Sequence, residues 1–279
     1  MIELPEAHVL SAQINEVLSG KTVRSAAANT HPHSFAWYTG DPAAYNGKLA
    51  GRTVTSSNPG TGYTCGGNIE ILCGDTLLVI STPIKYHAPG DKLPAKHQLL
   101  LEFTDGSHMS CTVQMWGSMM CFPADAPEFP DWFTFKRCPD PLGGAFDKTY
   151  FDALWDGAKP SLSVKAFLAT EQRVPGLGNG VLQDILFHAG LHPKRKLETL
   201  YGGDRDKLFR SVKDTLRDMR DGGGRDTEKD LFGNPGGYRT ILSAKTQAYA
   251  CPACGGGITR KAYMGGNVYF CETCQPVRK

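Results

Sequence analysis

An α+β fold is predicted by three features of the sequence: an amphipathic helix at the start, a run of short strands after it, and helical periodicity in the second half. Ala7, Leu10, Ile14, Val17 and Leu18 fall at three- and four-residue spacing, with Pro5 early and Gly20 just behind them, so a helix entered between Glu3 and Glu6 is expected. Strand-like stretches follow at 22–26, 69–72, 77–81, 99–103 and 108–115, with Gly74-Asp75 and Asp105-Gly106 as turns between neighbours. A mostly antiparallel sandwich or barrel carrying an N-terminal helix is the expected first piece. The Pro/Gly-rich break Cys138-Pro-Asp-Pro-Leu-Gly-Gly144 then separates a domain over 1–137 from a linker over 138–147.

A helical domain is expected over 148–233. Val164, Phe167 and Leu168 share one face, Gly176-Leu-Gly178-Asn179 interrupts, and Val181, Ile185 and Leu186 resume the stripe. Past Gly190-Leu-His-Pro193, Leu208, Val212, Leu216 and Met219 mark another helix near 207–219, ended by Gly222-Gly-Gly224. Residues 234–279 form the last piece, a loop followed by a cysteine-bearing hairpin.

Composition narrows the function classes. Of 279 residues, 41% are apolar and 21% charged, which suits a folded chain with a sizeable core rather than a disordered polyelectrolyte. No apolar run approaches the length of a membrane span, and Glu3, Glu6 and Glu16 break any secretory leader, so a cytoplasmic protein is expected. The formal charge of +2 hides an asymmetry: residues 1–150 carry −4 and residues 151–279 carry +6. A polyanion is therefore sought on the second half, against the alternative of an ordinary solvated surface.

Five of the nine cysteines, Cys65, Cys73, Cys111, Cys121 and Cys138, are scattered and read as small hydrophobes in a reducing compartment. The other four form Cys251-Pro-Ala-Cys254 and Cys271-Glu-Thr-Cys274, a C-x2-C-x16-C-x2-C pattern. Two such knuckles bring four thiolates around one structural Zn2+ and close a hairpin too small to bury a core. A redox C-x-x-C would need neither the second pair nor its matching spacing.

Two further groups of residues can carry chemistry. Glycines around Gly176 and Gly178 free backbone N–H groups, and with the dipole of the following helix and the Asn179 amide they can hold a phosphate oxygen; a plain helix–helix turn is the alternative. Arg260 and Lys261 lie between the cysteine pairs, where a hairpin would project into a groove. At the N-terminus, Glu3 and Glu6 stand three apart on one helical turn. They either complement the helix dipole or serve an adjacent amine, which could condense with a sugar aldehyde carbon.

Three separated segments together resemble one family. Glu3-Leu-Pro-Glu6, then Gly176-Leu-Gly178-Asn179 with Leu186-Phe187 and Gly190-Leu-His-Pro193, and finally Asn234-Pro-Gly-Gly-Tyr238 ahead of the four cysteines are similar to the formamidopyrimidine-DNA glycosylase and endonuclease VIII family, in order and spacing. The resemblance implies a helix-capped β-sandwich, a helix–two-turn–helix domain and a zinc finger, closing on double-stranded DNA that contains a damaged base or abasic site. It implies a base-excision-repair glycosylase with abasic-site lyase activity, bacterial in type, beside the nucleoid and monomeric. By motif position Glu3 would move protons at the sugar, Glu6 would support it, and the amine of Met1 or Ile2 would attack C1′. Asn179 would hold the phosphate flanking the lesion, with Lys165 as an auxiliary contact. Trp116 would stack in the vacated helix beside Met115 as void filler, unless Trp116 is an ordinary core aromatic.

The sequence departs from that family at four places. Ile2 stands where the family has a nucleophilic proline, and a large residue there keeps the initiator Met1 in place. Gly66-Gly-Asn68-Ile-Glu70 lacks the family's catalytic lysine, Gln114 and Met115 replace two arginines, and Gly266 replaces an arginine five residues before Cys271. A binding paralogue that recognises damaged or abasic DNA without cutting it is the alternative. Lys85, His87 and Lys92 fall on or beside a loop around 83–94; Lys96 and His97 just after it are candidate phosphate contacts or simply solvated.

Overall fold

The structure, a computed structural model, describes residues 2–131, 133 and 138–277. It divides into two compact units: Met1–Phe135 with Glu228–Gly236, and Lys136–Thr227 with Gly237–Lys279.

The first unit begins with α1 (Leu4–Leu18), which has Pro5 in its opening turn, where the missing N–H costs no hydrogen bond. Leu10, Ile14 and Leu18 line its buried face. Strand β1 (Val23–Ala28), β2 (Ala36–Trp37), the short α2 (Tyr45–Leu49) and β3 (Val54–Asn58) follow. Then come β4 (Ile69–Cys73), β5 (Thr76–Ile80), β6 (Ile84–His87), β7 (Leu99–Phe103), β8 (His108–Cys111) and β9 (Gly117–Pro123). They make two sheets ordered β1-β7-β8-β6 and β2-β9-β5-β4-β3. Every pairing is antiparallel except β2 with β9.

Period two decides where the core sits. On β5, Leu78 and Ile80 enter the main core with Ile69, Ile71, Leu101, Phe103, Met109 and the α1 stripe, while Leu77 and Val79 enter a second cluster with Met120 and Phe122. The five-stranded sheet is thus covered on both faces. That explains why 77–80 reads as an unbroken apolar run rather than an alternation. The Gly74-Asp75 turn closes β4 on β5 with Gly74 at φ 61°, a left-handed position that suits glycine.

Four strands and a helix escape the sequence pattern: β2, β3, β6, β9 and α2. Val54-Thr-Ser-Ser-Asn58 lacks apolar alternation, and β6 lies inside the stretch read as loop. Conversely, the strand expected to reach Met115 stops at Cys111. Thr112 N–H donates to Pro83 O at 3.2 Å and Val113 N–H to the Gln98 side-chain oxygen at 2.7 Å, so the chain leaves the ladder there. Far along the sequence, Leu231 is fully buried in the same core, its N–H bonded to Gln13 Oε1 at 2.9 Å.

The second unit holds α3 (Lys148–Ala153), α4 (Asn179–Ala189), α5 (Asp204–Asp221) and the hairpin β10 (Thr259–Tyr263) with β11 (Gly266–Phe270). Asp147 caps α3 by accepting from Tyr150 N–H at 2.8 Å. Helix α4 packs against α5 and β11, burying Val181, Leu182, Ile185 and Leu186. Asp184 on α4 is buried and accepts from Tyr238 Oη (3.1 Å), Ile241 N (2.9 Å) and Leu242 N (2.8 Å), which pins the loop leading to the hairpin. Among the described residues no helix is long and apolar enough to cross a membrane.

Candidate functional site

Glu3 and Glu6 are both buried, at 8% and 4% exposure. Glu3 occupies the N-cap position in extended backbone (φ −109°, ψ 175°), yet its side chain makes no capping bond to α1. Complementing the helix dipole is worth at most ~1 kcal/mol for a carboxylate. Removing one from water costs several kcal/mol. The dipole alone therefore does not account for two enclosed acids on one turn. Ile2 sits beside them with its side chain in the main core, which fixes the backbone entering the helix. Met1 lies outside the described residues.

The loop between β3 and β4, which has no lysine, is organised by Glu70. This buried carboxylate accepts from Gly62 N (3.1 Å), Tyr63 N (2.8 Å), Thr64 N (2.5 Å) and Thr64 Oγ1 (2.8 Å). Asn68 adds a bond to Cys65 O at 2.9 Å. Burial pushes the Cys65 thiol up to about 11, so it stays protonated at neutral pH and offers no thiolate nucleophile.

In the second unit, the glycine turn is held by a residue that the sequence pattern does not single out. Gln172 donates to Leu177 O at 2.9 Å and accepts from Gly176 N–H at 3.1 Å. A π-helical turn over Ala166–Thr170 precedes it, Gly176 takes φ 83°, and Gly178 heads α4 with Asn179 as the first helical residue. The Asn179 side chain reaches the finger hairpin, where a Cβ on Gly266 would collide with Asn179 Nδ2. Lys165 is buried and donates to Tyr263 O at 2.6 Å; burial holds its ammonium below the ordinary lysine value. Lys194 stacks over the Tyr263 ring at 4.8 Å. Tyr263 and Lys194 thus join Asn179 and Lys165 around the hairpin, a grouping that only the folded chain reveals. Arg260 and Lys261 are exposed on β10.

Trp116 and Met115 lie in the loop before β9 and are exposed, at 42% and 75%. Trp116 is no core aromatic. Gly117 behind it has no room for a side chain, since a Cβ there would come within 2.6 Å of Thr82 Cβ.

Cys251, Cys254, Cys271 and Cys274 converge, with all four sulfurs within 4.8 Å of one another. The Cys251–Cys274 and Cys254–Cys271 sulfurs are 3.7 and 3.4 Å apart. A tetrahedron with 2.3 Å metal–sulfur arms has edges of about 3.8 Å, so these residues fit one metal ion. Gly256 N–H donates to Cys254 Sγ at 3.4 Å, the outer support a bound thiolate calls for. Gln275 ties the second knuckle down by accepting from Cys271 N–H at 3.1 Å and donating to Leu191 O at 2.9 Å.

Comparison with known proteins bears on this arrangement. No protein-family model matches the chain. It is 26% identical to a formamidopyrimidine-DNA glycosylase of Rhodopseudomonas palustris over 99% of its length and 100% of that protein. It is 31% identical to the Thermus thermophilus enzyme of the same name over 49% of its length and 52% of that protein. Its fold matches the crystal structure of MutM (Fpg) from Thermus thermophilus with a TM-score of 0.79 at 21% identity, covering 99% and 100% of the two chains. It also matches Lactococcus lactis Fpg in complex with DNA containing an abasic site, with a TM-score of 0.77 at 23% identity over 98% and 99%. Likeness in sequence and likeness in fold both run the full length.

Proposed function

We propose, for a chain related along its whole length to the formamidopyrimidine-DNA glycosylases, that it is a base-excision-repair DNA glycosylase. Its substrate is double-stranded DNA carrying a damaged base or abasic site, and it has abasic-site lyase activity. The observation that carries this reading is the pair of enclosed carboxylates, Glu3 and Glu6, at the head of α1.

The flipped nucleotide presents C1′ to the amine of Met1 or, with Met1 removed, of Ile2. The nitrogen lone pair forms a bond to C1′, the glycosidic C–N bond breaks, and the departing base takes a proton. Glu3 then protonates the ring oxygen as the C1′–O4′ bond opens, leaving an imine whose hydrolysis or elimination completes the reaction. Glu6 holds Glu3 in the required orientation. Asn179 and the amides of the glycine turn grip the phosphate beside the lesion, with Lys165 as an auxiliary contact. Trp116 and Met115 fill the gap left in the stack. One structural Zn2+ on the four cysteines supplies no chemistry and locks the hairpin that presents Arg260 and Lys261. The chain works as a monomer in the cytoplasm, beside the nucleoid.

The buried Ile2 side chain and the lysine-free loop ordered by Glu70 favour a second reading, a damaged- or abasic-DNA-binding protein impaired in cleavage. Borohydride trapping separates the two. An abasic oligonucleotide is expected to become covalently bound to the wild-type chain, and Glu3→Gln is expected to slow base release by about 10²–10⁴-fold, the usual contribution of a general acid. No adduct and no base release across oxidised, ring-opened and deaminated lesions would leave the binding reading.

A further inference from the structure

We propose that the first unit carries a stacking platform for unpaired nucleobases, formed by Phe35, Trp37 and Trp116, so that the chain's substrate is DNA whose strands are open beside the lesion. The inference rests on the DNA-glycosylase reading and extends it to the state of the DNA.

The rings form a row on the surface, each meeting the next tilted or edge-on. Phe35 is 56% exposed and Trp37 38%; their centroids are 6.4 Å apart, and Trp37 lies 6.0 Å from Trp116. His33 extends the row, 6.2 Å from Phe35. Exposed apolar rings in a contiguous row mark an interaction surface. A single wedge fills one vacated step, about 3.4 Å of strand. Two ring-to-ring intervals span well beyond that, so the row is suited to more than one base.

The platform is built, not left to a mobile loop. A turn closed by Ala36 N–H on His33 O (3.0 Å) and by Phe35 N–H on His33 Nδ1 (3.2 Å) sets Phe35 at its corner. Strand β2 then pairs with β9 at Trp37↔Ser118, and Gly117 N–H donates to Phe35 O at 3.0 Å. Gln98, itself buried, ties both segments together: its Nε2 donates to His31 O at 2.8 Å and its Oε1 accepts from Val113 N–H at 2.7 Å. Tyr38 Oη adds a bond to Gln98 O at 3.0 Å.

Charge identifies the occupant. The segments that carry the rings, residues 29–40 and 112–123, contain no Asp or Glu, and the bond from Gln98 Nε2 to His31 O brings the strand-entry segment with His97 and its neighbour Lys96 against the first of them. The imidazoles of His31 and His97 meet edge to face at 4.8 Å. Aromatic faces on segments free of carboxylates complement a polyanion whose own rings are accessible. A paired duplex hides base faces; an opened strand offers them, and stacking of this kind tolerates any sequence.

Three labelled oligonucleotides with the same tetrahydrofuran abasic site decide the matter by fluorescence anisotropy: fully paired, within a five-nucleotide bubble, and single-stranded. The wild-type chain is expected to bind the bubble at least ~10-fold tighter than the paired duplex. The double variant Phe35→Ala, Trp37→Ala should lose ~10-fold or more on the bubble and single strand, with a smaller loss on the duplex, and Trp37→Phe should retain most of the bubble affinity. An unshifted melting temperature in each variant separates loss of stacking from loss of fold. Equal wild-type affinity for bubble and duplex, or an equal loss on both in the double variant, overturns the platform while leaving the glycosylase reading intact. A wild-type chain that binds none of the three removes both.

Discussion

At position 266 the resemblance calls for an arginine and the chain has glycine. The structure supplies a physical reason, since a side chain there would occupy the place of Asn179 Nδ2. Gly266→Ala is therefore expected to displace the Asn179 amide and weaken binding to an abasic duplex by about 10–150-fold, in the range of one lost charge-assisted hydrogen bond. Unchanged affinity, measured by titration, would show that Asn179 does not hold the phosphate. The paired acids and the four cysteines are legible because their signal is spacing along one turn or one hairpin. Gln98, Glu70 and Gln172 are not, because each is defined by backbone groups that it reaches after folding. Val113 N–H and His31 O, the partners of Gln98, lie 15 and 67 residues away.

Among the elements, α1, β7, α4 and α5 stand where periodicity places them. Strands β3 and β6 are missed because their polar residues face solvent or bond inward. On β6, His87 is buried, with Nε2 paired to Ser110 Oγ at 2.8 Å. Burial, then Lys85, with His108 and His97 in the same sense and Asp91 opposing, holds its imidazole below the ordinary histidine value. The unfolded chain thus binds a proton at higher pH than the folded one. His87 contributes full stability above pH ~6.5 and loses it as the pH falls from there toward the folded value. The melting temperature should drop between pH 7 and pH 5, and His87→Gln should flatten that drop. An identical slope in the variant would show that other groups govern it.

For the whole molecule, the cysteine cluster is, among the described residues, the one place where a metal can substitute for a hydrophobic core. Val268, Tyr269 and Phe270 on β11 are buried, but β10 offers no apolar face to enclose the hairpin from the other side. Cys254→Ser is expected to abolish stoichiometric zinc and to lower DNA affinity by tenfold or more, while the β-rich unit keeps its circular dichroism and melting transition. A zinc-free variant with wild-type affinity would remove the hairpin from the interface. Residues 228–236 belong with the β-rich unit although the polypeptide reaches them only after Thr227. Leu231, from that return, is fully buried in the core of the first unit. During synthesis, then, the N-terminal half waits with a gap in its interior while roughly 90 further residues are added, on the order of 5–20 s at ordinary elongation rates. The nascent chain cannot seal its first-made half until Leu231 has been made, and a ribosome stalled earlier would display an apolar opening to chaperones and proteases.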